Sequence, residues 1–351
     1  MAIKAKDLAQ QLGVSQATIS LLLNNKAGLS EKTRQELTQR VVDLGFGYMF
    51  AARGEYSSDE PHGEENLTED IAFVIYKRGG ELMEQTPFLP LIMDGLEATA
   101  RKYGYRLTVN SIVCKKDMRD QMAYLKASGC KGVVVFATEM VGDEVDPFHN
   151  LGIPLVLLDN YYLDRKINAV TLNNEQGTYA LVNLLYKKGH RKIGYLTSGL
   201  TIASFTERKE GFFRALRKFD LEGMEKYCFD TAYPEREACL KFTEVIKSGA
   251  ELPTAFLTDN DVVAYGAVKA MVQAGIRVPQ DVSVVGFDDR PICLMTEPPL
   301  TTVRIPRFRF GGEAVELLVN KISQAEHRIE SHVKVEVCVD LVERESVADI
   351  S

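Results

Sequence analysis

Two sets of residues in this chain have types and spacings that could do chemistry. In the first, Gln16, Ala17, Ser20, Leu21 and Asn24 fall on one face of a helix, opposite the apolar positions Ile19, Leu22 and Leu23. That face is a short, mostly uncharged, hydrogen-bonding stripe of the kind that a helix-turn-helix sets into the DNA major groove. Glutamine can bond adenine through two hydrogen bonds, and alanine can touch a thymine methyl; Gln16 and Ala17 stand at the helix start, where base reading occurs. An ordinary helical hairpin with a polar outer face would show the same pattern. The second set follows short apolar runs further along the chain: Asp159–Asn160, Ser198–Gly199, Asp259–Asn260–Asp261 and Gly286–Phe287–Asp288–Asp289. Polar residues thus collect after several of these runs, where a small ligand could be held by hydrogen bonds.

The first set needs a helical scaffold, and the sequence supplies one. Leu8, Ala9 and Leu12 recur at helical spacing, Gly13 permits a sharp turn, and Ser15 can cap the following helix. Ser30 marks a further helix start, with Leu37, Val41 and Leu44 on its apolar face and Gly45 at its end. The second set needs strands. The predicted strands are Ile71–Tyr76, Arg106–Val113, Gly132–Phe136 and Pro154–Leu158, then a second group of Ala169–Leu172, Lys192–Thr197, Tyr227–Phe229, Ala255–Leu257 and Val282–Val285. Amphipathic helices lie between most of them, among them Pro90–Tyr103, Glu175–Lys188, Glu207–Phe219 and Asp261–Ala274. Strands buried on both faces with helices between them predict parallel α/β layers. The strand number fits two doubly wound parallel-sheet lobes behind an N-terminal all-α head. Ligands bind such sheets beyond the carboxyl ends of the strands, where the second residue set collects on a rim facing an interlobe cleft.

Composition narrows the function. The 351 residues carry a net charge of −7, which argues against a protein that coats nucleic acid. Yet residues 1–53 hold Lys4, Lys6, Lys26, Lys32, Arg34, Arg40 and Arg53 against Asp7, Glu31, Glu36 and Asp43, a local excess of positive charge. Residues 54–70 hold seven acidic side chains and no Lys or Arg, among Gly, Ser and Pro, which is a linker composition. The expected domains are therefore a head over 1–47, a hinge and acidic linker over 48–70, and a two-lobed core over 71–351. The six cysteines show no pairing pattern and read as reduced residues of a cytoplasmic protein. No signal-peptide core or membrane-length apolar run is present, so no membrane association is expected. The five histidines are scattered, and there is no metal-ligand spacing, phosphate loop or nucleophile elbow. Neither a metal nor a cofactor is expected, and His190 reads as structural.

These motifs together resemble the LacI/GalR family of bacterial transcription regulators. In the head the resemblance rests on Asp7–Leu8–Ala9, Gly13–Val14–Ser15, Thr18–Ile19–Ser20, Leu23–Asn24, Ser30, Thr33–Arg34 and Leu44–Gly45–Phe46. In the body it rests on residues 188–193, Glu207–Arg208 with Gly211–Phe212, Asn260–Asp261, residues 278–289 and residues 299–303. The resemblance implies a periplasmic-binding-protein-like core whose lobes are joined by three crossovers, here near 161–166, 290–303 and 325–332. Lobe one would hold 71–161 and 305–324, and lobe two the rest. It implies a homodimer on a pseudo-palindromic double-stranded operator, with a small effector, a sugar or sugar phosphate, controlling a carbohydrate-utilisation operon, and no enzymatic activity. A sugar-binding protein or a cytosolic sugar-processing enzyme is the alternative.

The resemblance also implies roles for particular residues. Ser15, Thr18, Ser20, Asn24, Ser30 and Thr33 would position phosphates, and Ala52 and Arg53 would belong to the hinge. Leu21 stands where many relatives carry a guanine-reading Arg, so the half-site should differ there. Glu55 replaces the leucine wedge of relatives, so a smaller DNA bend is expected. Asp159, Arg208, Asn260 and Asp288 match effector contacts, Phe88 matches an aromatic lining the pocket from lobe one, and Arg307 is a further pocket candidate. Without the resemblance, Arg208 would read as a surface helix charge. Asn173 and Asn174 are not expected in the pocket.

Overall fold

The structure, a computed structural model, describes residues 9, 12, 14–23, 28–30, 33–34, 37, 69–79, 89–114, 117–221, 224–326 and 331–351. Asn24, Ala52, Arg53 and Phe88, together with the hinge, Glu55 and nearly all of the linker, lie outside these residues. The chain divides into two compact units, residues 1–65 and 66–351.

In the first unit, residues 9 and 12 are helical, the chain turns at Val14–Ser15, and helix α1 spans Gln16–Leu23. The Val14 N–H donates to the Ala9 carbonyl at 3.0 Å, which closes the turn. Ser15 Oγ accepts from the Thr18 N–H at 3.0 Å, and Ser30 Oγ does the same for the Thr33 N–H at 3.1 Å. Both serines thus satisfy backbone donors that a helix start leaves open. Ala9, Leu12, Ile19, Leu22 and Leu37 form one buried cluster, which is the reason for the helical spacing of these apolar residues.

The second unit contains two parallel sheets. The first has six strands in the order β11-β5-β4-β3-β1-β2: β1 Glu69–Lys77, β2 Tyr105–Val113, β3 Val133–Phe136, β4 Leu155–Leu158, β5 Asn168–Leu172 and β11 Lys334–Val337. Every pairing in it is parallel. The second, also parallel, has the order β7-β6-β8-β9: β6 Ile193–Thr197, β7 Cys228–Asp230, β8 Ala255–Thr258 and β9 Ser283–Val285. The strands β10 (Thr302–Arg304) and β12 (Asp340–Val342) form a separate antiparallel ribbon. All residues of β3, β4 and β8 are buried, as expected of strands covered on both faces.

The helices are α2 Leu89–Lys102, α3 Met118–Ala127, the single turn α4 Asp146–His149, α5 Asn174–Lys187, α6 Ala203–Lys218, α7 Glu235–Lys247, α8 Asp261–Gln273 and α9 Arg307–Glu326. In α2 the buried residues Ile92, Gly95, Leu96 and Ala100 form one stripe. This stripe meets α9 at very short range. A Cβ on Gly95 would lie 1.9 Å from the Phe308 carbonyl oxygen, and one on Gly311 would lie 2.2 Å from that of Ile92. Only glycine allows this backbone approach.

The topology corrects two expectations. Residues 168–172 pair with β4, with Leu157 opposite Ala169, and so belong to the first sheet rather than the second. The stretches 161–166 and 325–332 therefore connect elements of lobe one and are not crossovers. The chain leaves the first sheet after Leu172, returns to it between β9 and α9, and leaves again after Val337. A strand buried on both faces can be added to either sheet, and only the pairing decides which. The connection around 290–303 is a crossover, as expected. The chain end returns to the second sheet, where Ser346 Oγ donates to the Val284 carbonyl at 2.6 Å. His190 is buried, its Nδ1 2.9 Å from Thr254 Oγ1 and its Nε2 3.2 Å from the Ala348 carbonyl. Burial lowers its pKa, which fits a neutral structural imidazole.

Candidate functional site

The residues that follow the carboxyl ends of β4, β8 and β9 converge in the second unit. Arg208, on α6, is their hub and is only 3% exposed. Its Nε donates to Asn174 Oδ1 at 2.9 Å and its Nη1 to the Asp259 carbonyl at 2.7 Å. Its Nη2 lies 3.0 Å from Asp288 Oδ1. The guanidinium stacks 3.8 Å above the centre of the Phe287 ring. Arg208 is thus neither a surface charge nor loosely held.

Each partner is itself fixed. Asn174 Nδ2 donates to Glu207 Oε2 at 2.7 Å. Asp259 accepts from the Tyr195 hydroxyl at 2.8 Å and from the Ser198 N–H at 2.6 Å. Burial raises the Asp259 pKa, and these two donors oppose that shift. Asp261, the first residue of α8, accepts from the Arg290 N–H at 2.7 Å and the Thr302 hydroxyl at 2.6 Å. Its carboxyl is raised above the usual carboxylate range, first by burial and then by the Asp288 charge. Asn260 caps α8, since its Oδ1 accepts from the N–H groups of Val262 and Val263, each at 3.1 Å. Its amide nitrogen forms no hydrogen bond with the described residues.

The first sheet contributes Asp159, just beyond β4. It is buried and accepts from the Thr138 hydroxyl at 2.7 Å. Burial pushes its carboxyl up to about 7, although the Thr138 hydroxyl and the Arg208 charge pull it down. Asp288 pushes it up further, so Asp159, Arg208 and Asp288 lie within electrostatic reach of one another. Arg307, at the start of α9, donates from Nη2 to the carbonyls of Asp288 and Asp289. Asp289 in turn pairs with Arg304 at 2.7 Å and Arg344 at 2.6 Å. The backbone is strained at this rim: Asp159 (φ 66°), Asp288 (φ 108°) and Asp289 (φ 50°) all adopt left-handed conformations. Non-glycine residues held so are concentrated at functional sites.

Of the six expected effector residues, then, Asp159, Arg208, Asn260, Asp288 and Arg307 gather at one rim, and Phe88 lies outside the described residues. Asn174 was not expected here, yet it holds Arg208. Its identity and position just after an apolar strand were the only sequence signals for it. A cavity of about 190 Å³ adjoins the cluster and is lined by Tyr161, Asn174, Glu207, Arg214 and Lys334, among others.

In the first unit, Ser15, Gln16, Ala17, Ser20 and Ser30 are exposed, with Thr18 and Thr33 close to their capping serines. Leu21 is half-buried and folds towards the turn at Gly28 (φ +126°), where a Cβ would come 3.2 Å from its Cδ1. No group of three His, Cys, Asp or Glu among the described residues could hold a metal, and no described helix is long and apolar enough to cross a membrane.

Comparison with known proteins agrees with this architecture. The periplasmic binding protein-like domain family matches residues 182–347. Over 99% of both chains the sequence is 27% identical to the HTH-type transcriptional repressor PurR of Mannheimia succiniciproducens, and 28% identical to that of Vibrio atlanticus. Among solved structures, the transcriptional regulator CelR in its cellobiose complex aligns with 98% of this chain and all of its own (TM-score 0.68, 21% identity). The lac repressor dimer bound to operator and the anti-inducer ONPF aligns with 80% of this chain and 95% of its own (TM-score 0.67, 21% identity). Relatives named as transcriptional repressors support a ligand-responsive DNA-binding repressor rather than an enzyme. These likenesses support a regulator of the LacI/GalR type.

Proposed function

We propose that this repressor binds a small polyhydroxylated effector, of the sugar class, at the rim formed by Asp159, Arg208, Asn260, Asp288 and Arg307, and controls a carbohydrate-utilisation operon. The observation that carries this reading is the convergence of Asp159, Arg208 and Asp288 from both sheets. Their carboxylates can accept from sugar hydroxyls, and the guanidinium and the Asn260 amide can donate. Structural neighbours solved with cellobiose, ribose and glucose support the same class.

The DNA side of the proposal rests on the exposed stripe of α1. Gln16 and Ala17 read base edges; Ser15, Thr18, Ser20, Asn24, Ser30 and Thr33 position phosphates; Leu21 alters one position of the half-site; and Ala52 and Arg53 act in the hinge. Two heads of a homodimer meet a pseudo-palindromic operator in the cytoplasm. The effector shifts the operator-bound population only to the extent that it favours one arrangement of the core.

A melting screen of the full chain against mono- and disaccharides and nucleobases tests the effector class. A sugar that raises the melting temperature, fails to do so for Asp159→Asn, and is recovered unchanged supports the proposal. Turnover of the sugar, or stabilisation by nucleobases alone, sinks it. Genomic DNA pulled down with the protein would identify the operator, and its binding should weaken steeply with salt as phosphate contacts release counterions.

A further inference from the structure

A second cavity, of about 230 Å³, lies at the opposite ends of the strands that carry the rim. Its walls include Leu155 and Asn168, the first residues of β4 and β5, whereas Asp159 follows the last residue of β4. At roughly 3.3 Å per strand residue, a separation on the order of 13 Å divides the two sites. Lys166, Lys321, His149 and His332 line this cavity, and among the described residues no carboxylate lines it, although the whole chain carries a net charge of −7.

Asn168 defines the interior. It is 3% exposed, and its Oδ1 accepts from the Val333 N–H at 3.0 Å. That bond fixes the amide, leaving Nδ2 without a hydrogen bond to any described residue. With the residue buried and its oxygen engaged, Nδ2 is the donor that the open side of the cavity leaves for water or a ligand to accept from. Lys321 Nζ donates to the Ser331 carbonyl at 3.1 Å and has two further N–H groups. Lys166 forms no ion pair or hydrogen bond with the described residues. Donors thus arrive from the start of β5, from the loop before it and from α9. A tetrahedral dianion is the small ligand whose acceptors point in several directions at once.

We propose that this cavity binds a small phosphate-bearing anion, at a site separate from the interlobe cleft. The source is either inorganic phosphate or a phosphate ester of a few carbons.

Isothermal titration of the full chain with sodium phosphate, and separately with glucose 6-phosphate, both against sodium chloride of matched ionic strength, tests this. Saturable binding is expected. Asn168→Asp keeps an acceptor for the Val333 N–H but sets a carboxylate against the anion, and should weaken binding at least tenfold. Lys166→Met alters an exposed side chain, should leave the fold intact, and should weaken binding at least threefold. The Lys166 variant decides the matter if the Asn168 variant melts early. Equal affinity for both probes points to inorganic phosphate; tighter glucose 6-phosphate points to an ester. No saturable binding of either probe, or undiminished binding to both variants, overturns the proposal.

Discussion

The exposed face of α1 in the head and the polar rim of the core both carry polar residues and use them in opposite ways. Ser15, Gln16, Ala17 and Ser20 are exposed, and the side chain of the capping Ser15 bonds within its own helical turn, to Thr18. Arg208, Asp259, Asp261 and Asp288 are buried and interlocked across several elements. On the head, a substitution can change recognition at little cost in stability. In the core, the groups that would meet a ligand also hold the second sheet's loops together, so recognition and stability cannot be separated by single substitutions.

The largest effect should come from Arg208→Leu. It leaves the buried Asp288 carboxylate without its partner, and loss of one member of a buried pair costs about 3–5 kcal/mol. Urea unfolding of the core at pH 7 reads this directly, and a loss below about 1 kcal/mol, the value of an exposed pair, would erase the contrast between the two regions. The next concerns Asp159. Its folded carboxyl titrates at about 7, above the ordinary carboxylate value, so the native state holds a proton that the unfolded state has released between about pH 4 and 7. Stability from this group is therefore greatest at low pH and falls as pH rises through that window. Asp159→Asn should match the parent near pH 4 and exceed it at pH 8, by on the order of 4 kcal/mol at most. A pH-independent difference between the two proteins would show that Asp159 is ionised throughout.

Smaller effects are expected on the head. Gln16→Ala should leave both melting transitions in place while relaxing preference at one base pair by about 1–3 kcal/mol, measured by competition among operator variants. Uniform weakening on all sequences would make Gln16 a phosphate contact instead. Ser15→Ala removes a helix cap and should cost the head about 1 kcal/mol, with the core transition unmoved in calorimetry.

Much of the local structure was legible in the residues. The spacing of Ala9, Leu12, Ile19 and Leu22 gave the head cluster, and Ser15 and Ser30 gave its caps, because capping and amphipathic periodicity are short-range. Apolar runs gave most of the strands, with the ends of several shifted by one or two residues. The sheet to which residues 168–172 belong was not legible, nor were the crossovers that depend on it. Pairing between strands is a long-range choice, and a run buried on both faces carries no label for its neighbour. The site divided in the same way. Asp159, Asn260 and Asp288 follow strands and could be picked out as rim residues. Arg208 needed family resemblance, and Asn174 was set aside, because a helical residue's partners are chosen by packing.

The sequence by itself therefore determined the kinds of element, the exposed polar stripe of α1 and the supply of polar residues at strand ends, since each follows from local periodicity and side-chain chemistry. The tertiary structure decided which sheet each strand entered, that Arg208 is a buried hub rather than a surface charge, and that the amide of Asn168 is fixed inside a basic cavity. Those outcomes depend on contacts between residues far apart in the chain, where burial and pairing, not residue type, set what each group can do.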